Sequence, residues 1–427
     1  MVDEETLDRL EDRSVRRTRC NTLDRFDDIE HEGLIAHKQI LDGRHSRYYV
    51  GIDTPDACDI YTHTRTVSFQ DQMTIINLNK HHHVILYIIK YHLYTMRNLR
   101  AISLFAGAGG DTFGMKMAGI DVVAFSELDI DAIKTHNRNN PDCVALGDVS
   151  LIDETMLSPF VDNVDIIFAG FPCQGFSNAG QKKPDDPRNK LFNHVVRIAN
   201  IIKPQLVIGE NVAGILTRKD DTDRNVTDVI SEKFEEIGYV VKHKLYDMSF
   251  CIPQRRKRVI FFCFKHTMPI SFPEPTTDVI KIRPFLENVS SGCVELNGIY
   301  IPQNKLIKTS NDDNCKAHPM LVKLTDGKIT YGKRTPTSGE AIDVDQPTKT
   351  IACSYSFCPR LFVPIEKDDV ICLRTFTIKE LCRIQGFPDD YEFIGNDNSK
   401  IKQIGNAVPP KFVKFLIDGI KNQLLHD

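Results

Sequence analysis

Pro172-Cys173 follows the apolar run Val164, Ile166, Ile167, Phe168, which puts a thiol at the end of a predicted strand in this 427-residue chain. A cysteine at a strand end can face a cleft, and it is a nucleophile only as thiolate, which needs exposure and charge-stabilising surroundings. Glu210-Asn211-Val212 closes a second apolar run, Leu206 to Ile208. In a parallel sheet ligands collect at the carboxyl ends of the strands. Cys173 and Glu210 are therefore expected in one cleft, a nucleophile beside a proton-handling carboxylate. Each has a plainer reading when taken singly: a lone thiol is most often a small core hydrophobe, and Glu210 a polar strand-end residue.

Phe105-Ala106-Gly107-Ala108-Gly109-Gly110 lies between a predicted strand and the helix-like stretch Thr112 to Ala118. Glycines there let backbone amides approach a ligand at a helix N-terminus, although a tight strand-to-helix turn also favours glycine. Glu127 ends the second strand, where an acid can bind ribose hydroxyls, and Asp148 ends the next short apolar segment. Either acid could instead cap a helix. Arg255-Arg256-Lys257-Arg258 is a local basic cluster whose plain reading is a solvated loop.

Elements that would position these residues begin abruptly at Leu99. Apolar runs at Ile102 to Phe105, Asp121 to Phe125, Val164 to Ala169, Leu206 to Ile208 and Val259 to Phe264 alternate with helix-like stretches, predicting an α/β fold with a largely parallel sheet. From about Lys265 to Asp369, Pro, Asn, Asp, Gly and Lys dominate, as in a second, loop-rich domain. Helical periodicity returns at Thr377 to Gln385 and at Lys411 to Leu425. Met1 to about Arg97 has no pattern that assigns a function. Its basic stretch Arg13 to Arg19 is flanked by Glu11, Asp12 and Asp24 and reads as a solvated arm. Met96 lies just ahead of the first predicted strand, so the preceding segment reads as an appendage or a product of start-site choice.

Composition excludes several classes. The chain is 41% hydrophobic and 26% charged, which is ordinary for a globular protein, and its length favours two or more domains. A net charge of -4 provides no overall basic field to coat nucleic acid, while leaving room for a basic cleft. The twelve cysteines contain no CxxC pair, and His81-His82-His83 has no acidic or cysteine partner nearby, so no metal is assigned. Val84 to Tyr94, the densest apolar stretch, contains Lys90 and His92 and is too short to cross a bilayer. The N-terminus carries Asp3, Glu4 and Glu5 without an apolar signal segment, which points to a reducing intracellular compartment.

From about Leu99 to Leu424 these motifs, in this order, resemble those of the DNA (cytosine-5)-methyltransferases. Phe105 to Gly110 resembles the S-adenosylmethionine loop, Pro172-Cys173-Gln174 the catalytic loop, Glu210-Asn211-Val212 the glutamate motif and Gln254 to Arg258 the arginine motif. Arg374 to Tyr391, with Gln385-Gly386-Phe387-Pro388, and Gln403 to Pro409 resemble the last two blocks, the final one returning to complete the cofactor pocket. The resemblance implies a Rossmann-like methyltransferase sheet with a smaller loop-rich target-recognition domain. It assigns 99–264 to cofactor binding and catalysis, 265–369 to target recognition and 370–427 to the C-terminal return, leaving 1–98 as an N-terminal extension without a role. It implies Cys173, Glu210, Arg256 and Arg258 as catalytic residues, and Phe105, Gly107, Gly109, Glu127, Asp148, Pro172 and Asn406 as contacts of S-adenosylmethionine. Duplex DNA would be the substrate, with the loop Gln174 to Asp186 closing over a flipped nucleotide, and the protein would act as a monomer. An RNA methyltransferase of the same architecture is the nearest alternative, but the Cys-Phe-Thr tripeptide usual in that branch is absent. A non-catalytic binding protein would have no chemical need for all four catalytic residues. A fused nuclease is disfavoured because residues 1–98 lack a metal-binding acid and lysine set; whether a separate restriction endonuclease partner exists is not legible in one chain.

Overall fold

The structure, a computed structural model, describes residues 26–31, 34–40, 46–54, 57–61, 98–172, 191–220, 222–265, 271–290, 294–295, 303–308, 322–325, 328–331, 338–357 and 359–424. Cys173, the loop Gln174 to Asp186, the basic stretch Arg13 to Arg19 and the three consecutive histidines lie outside these residues. The chain forms two compact units, Met1–Tyr87 and Ile88–Asp427.

In the first unit β1 (Phe26–His31), β2 (Leu34–Ile40), β3 (Ser46–Thr54) and β4 (Ala57–Tyr61) form an antiparallel meander in sequence order. The reading of this region as patternless is corrected by that sheet. Its first strand reads Phe-Asp-Asp-Ile-Glu-His, and consecutive charges hide the two-residue period that marks a strand.

The second unit is built on a seven-stranded sheet. Its strands are β5 (Arg100–Leu104), β6 (Asp121–Ser126), β7 (Val144–Ala145), β8 (Ile166–Ala169), β9 (Leu206–Val212), β10 (Tyr239–Asp247) and β12 (Lys257–Lys265), in the order β10-β12-β9-β8-β5-β6-β7. The five strands from β9 to β7 are parallel, as expected from the alternation of strands and helices. β12 runs antiparallel to β9 and to β10, because the link between β10 and β12 is too short for the helical crossover that a parallel pair requires. Helices α1 (Gly110–Met117), α2 (Ile130–Asn139), α3 (Glu154–Leu157), α4 (Phe192–Ile202) and α5 (Val226–Glu235) connect the strands.

Neighbouring strand residues feed opposite cores, as a sheet covered on both faces requires. Ile102, Ile167, Val207 and Phe261 pack with Val195 and Ile198 of α4 on one face. Ala101, Ile166, Ile208 and Phe262 pack with Phe412, Leu416 and Ile420 on the other. The chain leaves β5 for β6 on one side and returns to β8 on the other. That reversal opens a crevice outside the carboxyl ends of β5 and β8, the usual ligand position in such sheets.

The C-terminal chain comprises α6 (Ile378–Gln385), α7 (Asp397–Asn406) and α8 (Pro410–Leu424); α6 and α8 fall close to the two predicted helical stretches, and α7 is an additional helix between them. Thr377 and Glu380 start α6 with a reciprocal capping box. α8 lies so close to α1 that a Cβ on Gly114 would sit 2.5 Å from the Pro410 carbonyl oxygen.

The smaller domain is a second sheet of β13 (Val294–Glu295), β14 (Ile307–Lys308), β15 (Val322–Thr325), β16 (Lys328–Tyr331), β17 (Ser338–Ala341), β19 (Leu361–Lys367) and β20 (Val370–Arg374). Its last strand runs beyond residue 369, since β19 and β20 form one hairpin. Two further short strands, β11 (Gln254–Arg255) and β18 (Thr348–Lys349), pair in parallel and fasten this domain's chain beside the arginine motif.

Arg374 anchors the return to α6. Its guanidinium, 1% exposed, forms a bidentate pair with Glu380, and also donates to the carbonyls of Val289 and Glu287. Every donor has a partner, so removing one member would strand a buried charge. Arg374→Met is expected to destabilise the fold by about 3–5 kcal/mol, seen as a lower urea midpoint; an unchanged midpoint would contradict this account. Among the described residues no helix is long and apolar enough to cross a membrane, and no cluster of His, Cys, Asp and Glu could hold a metal ion.

Candidate active site

One wall of the crevice is the loop after β5. Phe105 has a left-handed φ of 57°, which turns the chain out of the strand, and Gly107 (φ 55°) and Gly109 (φ 86°) continue the turn. The space where a Gly107 side chain would be is open. Gly107 N–H donates to Glu127 Oε2 (2.8 Å), while Leu128 and Asp129 N–H donate to Oε1 (2.7 and 2.9 Å). These three bonds orient the carboxylate without filling its roughly four acceptor positions. Beside it Leu128 and Ile130 are 65% and 67% exposed, an apolar ledge at the mouth of the crevice.

The C-terminal return closes this wall. A Cβ on Gly110 would lie 2.3 Å from the Val408 carbonyl oxygen, so only glycine admits the contact. Lys402 of α7 donates to Asp129 (2.7 Å), which caps α2, and that hydrogen bond holds the Asp129 carboxyl below its ordinary range. Asn406 is exposed at the end of α7. Asp148 lies three residues beyond β7 and accepts from Ser150 N–H (2.8 Å), a local turn bond.

The second wall is formed by β8, β9 and β12. Phe171 is buried, and its carbonyl accepts from Asn211 Nδ2 (3.1 Å), which ties the chain ahead of Pro172 to β9. Cys173 lies outside the described residues, immediately after this anchored pair. β9 extends to Val212, past the Ile208 end expected from its apolar run, so Glu210 stands within a strand opposite Ile260. Arg258 is opposite Val212. The diagonal relation on one face of an antiparallel pair brings long side chains into reach, and Arg258 Nε lies 2.8 Å from Glu210 Oε1. The contact is an ion pair without an aligned hydrogen bond, so this buried oxygen retains acceptor capacity.

Arg256 and Arg258 have different surroundings. Arg256 is 2% exposed and directs Nη2 to the carbonyls of Gly405 and Ala407 (both 3.2 Å). Burial, reinforced by the neighbouring charge of Arg258 and opposed by Glu210, pulls its pKa down to about 9. Ala407 also accepts from Gln385 Nε2 (2.6 Å), whose Oε1 accepts from Gln254 Nε2 (2.9 Å). A buried polar relay thus joins the arginine motif to the last two motif blocks. Gln254 and Gln385 could have been singled out as amides inside motifs; nothing in the sequence marks Leu128 or Lys402.

The family model for C-5 cytosine-specific DNA methylases matches residues 99–422. The chain belongs to this family. It is 30% identical over 344 residues to Type II methyltransferase M1.HphI of Haemophilus parahaemolyticus, covering 78% of this chain and 89% of that protein. Its identity to Type II methyltransferase M.Eco47II of Escherichia coli is 31% over 348 residues, 75% of this chain and 77% of that one. In fold it resembles Entamoeba histolytica methyltransferase EhMeth (TM-score 0.55, 16% identity, 77% and 99% coverage) and S. pombe Dnmt2 (TM-score 0.53, 17% identity, 76% and 99%). The protein is a DNA cytosine-5 methyltransferase, with the mixed α/β sheet of that class.

Beneath the loop of this methyltransferase lies an acid that the motif reading did not single out. Asp111 is 3% exposed, and burial raises its pKa from 3.8 to about 7 against the hydrogen bond it accepts from Ser103. A raised carboxyl favours folding below its unfolded pKa, and that contribution is lost as pH rises from about 4 through about 7. The loss is about 4 kcal/mol at the full shift. Asp111→Asn is therefore expected to raise the melting temperature relative to wild type progressively across that window; a constant difference would show that the group does not titrate there.

Proposed function

We propose that the enzyme methylates C5 of cytosine within a specific sequence of duplex DNA, through a covalent Cys173 adduct at C6 of a flipped-out base, with S-adenosylmethionine as methyl donor. The observation that carries this reading is the Glu210–Arg258 pair: a buried carboxylate with an open acceptor, on the strand whose Asn211 holds the Phe171 carbonyl, two residues ahead of the motif cysteine in sequence. S-adenosylmethionine, when bound, supplies an electrophilic methyl on a sulfonium. The first wall suits such a ligand, with open space at Gly107, remaining acceptor capacity on Glu127 for a ribose hydroxyl, and Leu128 as an apolar surface for a base. Phe105, Gly109, Asp148, Pro172 and Asn406 complete the proposed contacts.

C5 of cytosine is a weak nucleophile. The Cys173 thiolate adds to C6 and makes C5 enamine-like, while Glu210 holds a proton at N3 and stabilises the charge that this addition develops. Arg258 keeps Glu210 oriented, and Arg256 supports the site by fixing the Gly405–Ala407 corner. Once C5 is methylated, loss of its proton and β-elimination across C5–C6 release Cys173 and restore the aromatic ring. Base extrusion costs roughly a few kcal/mol, and the loop Gln174 to Asp186 would close over the extruded base. Type II relatives support a place in restriction and modification, and an intracellular setting and monomeric action complete the reading.

The test is transfer of labelled methyl from S-adenosylmethionine to duplex DNA and, in parallel, to tRNA, with mapping of the modified base. Labelled 5-methylcytosine in DNA is expected; label confined to tRNA would overturn the choice of substrate.

A further inference from the structure

Ser103 near the end of β5 and Asp111 in the first turn of α1 bracket the Phe105–Gly110 loop. Ser103 Oγ donates to Asp111, whose other hydrogen bonds come from backbone N–H groups of Thr112 and of Asp111 itself. Among the described residues Asp111 forms no ion pair. Glu127, from the turn after β6, adds negative charge. His136 of α2 bonds to Thr112 and is kept neutral by burial, its pKa lowered to about 3. Tyr391, after α6, donates its hydroxyl to the Ala108 carbonyl, and burial and the charge of Asp111 disfavour its ionisation. None of these groups is a cation. The loop that faces the proposed methyl donor is thus backed by two carboxyl groups, Asp111 and Glu127; Lys402, on the Glu127 side, is hydrogen-bonded to Asp129.

We propose that Asp111 is a charge-selective residue of the cofactor pocket, favouring the cationic sulfonium donor over the neutral thioether that remains after transfer. This inference rests on the S-adenosylmethionine reading above. A cation brought over the loop stabilises the carboxylate form of a buried acid, so cation binding and proton loss from Asp111 are linked; a neutral ligand has no such linkage. With Asp111 poised near neutrality, donor binding expels a fraction of a proton, and conversion to product removes the attraction and eases release.

Calorimetric titration of the full-length protein with S-adenosylmethionine and with S-adenosylhomocysteine, in two buffers of different ionisation enthalpy near neutral pH, reads this directly. The two ligands share their amino and carboxyl groups, so their difference isolates the sulfonium charge. Greater proton release with the donor is expected, with a donor-to-product affinity ratio that rises with pH. In Asp111→Asn the ratio should narrow on the order of tenfold, toward the lower end of usual coupling between sites, and lose its pH dependence. Equal proton release for both ligands in the wild type, or an unchanged ratio in a folded Asp111→Asn, overturns the proposal. Failure of the wild type to bind S-adenosylmethionine at all would overturn the cofactor reading and this inference together, an outcome distinct from binding without charge selectivity.

Discussion

Cys173→Ala is expected to lower methyl transfer to DNA by on the order of 10⁴-fold or more, the scale on which loss of a covalent nucleophile acts, while cofactor affinity changes little. No other group proposed for the site can add to C6: Glu210 is engaged with Arg258, and Arg256 is directed to backbone carbonyls. Among the described cysteines Cys143, Cys263 and Cys372 are buried, and Cys353 is exposed. Burial also pushes the thiols of Cys251 and Cys382 up to about 12, away from thiolate at neutral pH. The check is labelled-methyl transfer beside calorimetric binding of S-adenosylmethionine. Substantial residual transfer by Cys173→Ala would defeat the covalent mechanism, and loss of cofactor binding would instead place the residue in the fold.

Glu210→Gln should lower kcat by on the order of 10²–10⁴, the usual contribution of a positioned proton-handling group, with a smaller change in KM for DNA. Glutamine keeps the shape but neither holds a charge against Arg258 nor takes a proton for N3. The pair is 2.8 Å apart and nearly buried, so Arg258→Ala leaves a desolvated carboxylate without its partner and should lose activity too. Because the two residues act as a unit, the double variant should be far less impaired than the product of the single effects. Additive losses in steady-state kinetics would show that Arg258 acts on something other than Glu210.

Legibility varied with how local each signal was. The parallel strands were readable because each is a short apolar run bounded by turns, and α6 because its helical periodicity runs from Thr377 to Gln385. The meander of Phe26–Tyr61 was not, since its alternation is broken by charges. Glu127 and Glu210 were legible from their places at or near strand ends. Arg256 and Arg258 were legible together as a basic cluster; that Arg256 meets the carbonyls of Gly405 and Ala407, about 150 residues away in sequence, was not.

By itself, then, the sequence determined the family, the order of the motifs and the largely parallel α/β pattern, because apolar period, turn chemistry and caps all act within about ten residues. Only the tertiary structure decided which charges are desolvated and whom they meet. Asp111 titrates near neutrality because β5 and α1 close over it, Glu210 meets Arg258 because β12 enters the sheet antiparallel to β9, and Gly110 is irreplaceable because Val408 arrives from the far end of the chain. Burial and charge pairing depend on segments hundreds of residues apart coming within a few ångströms, and no local pattern encodes that meeting.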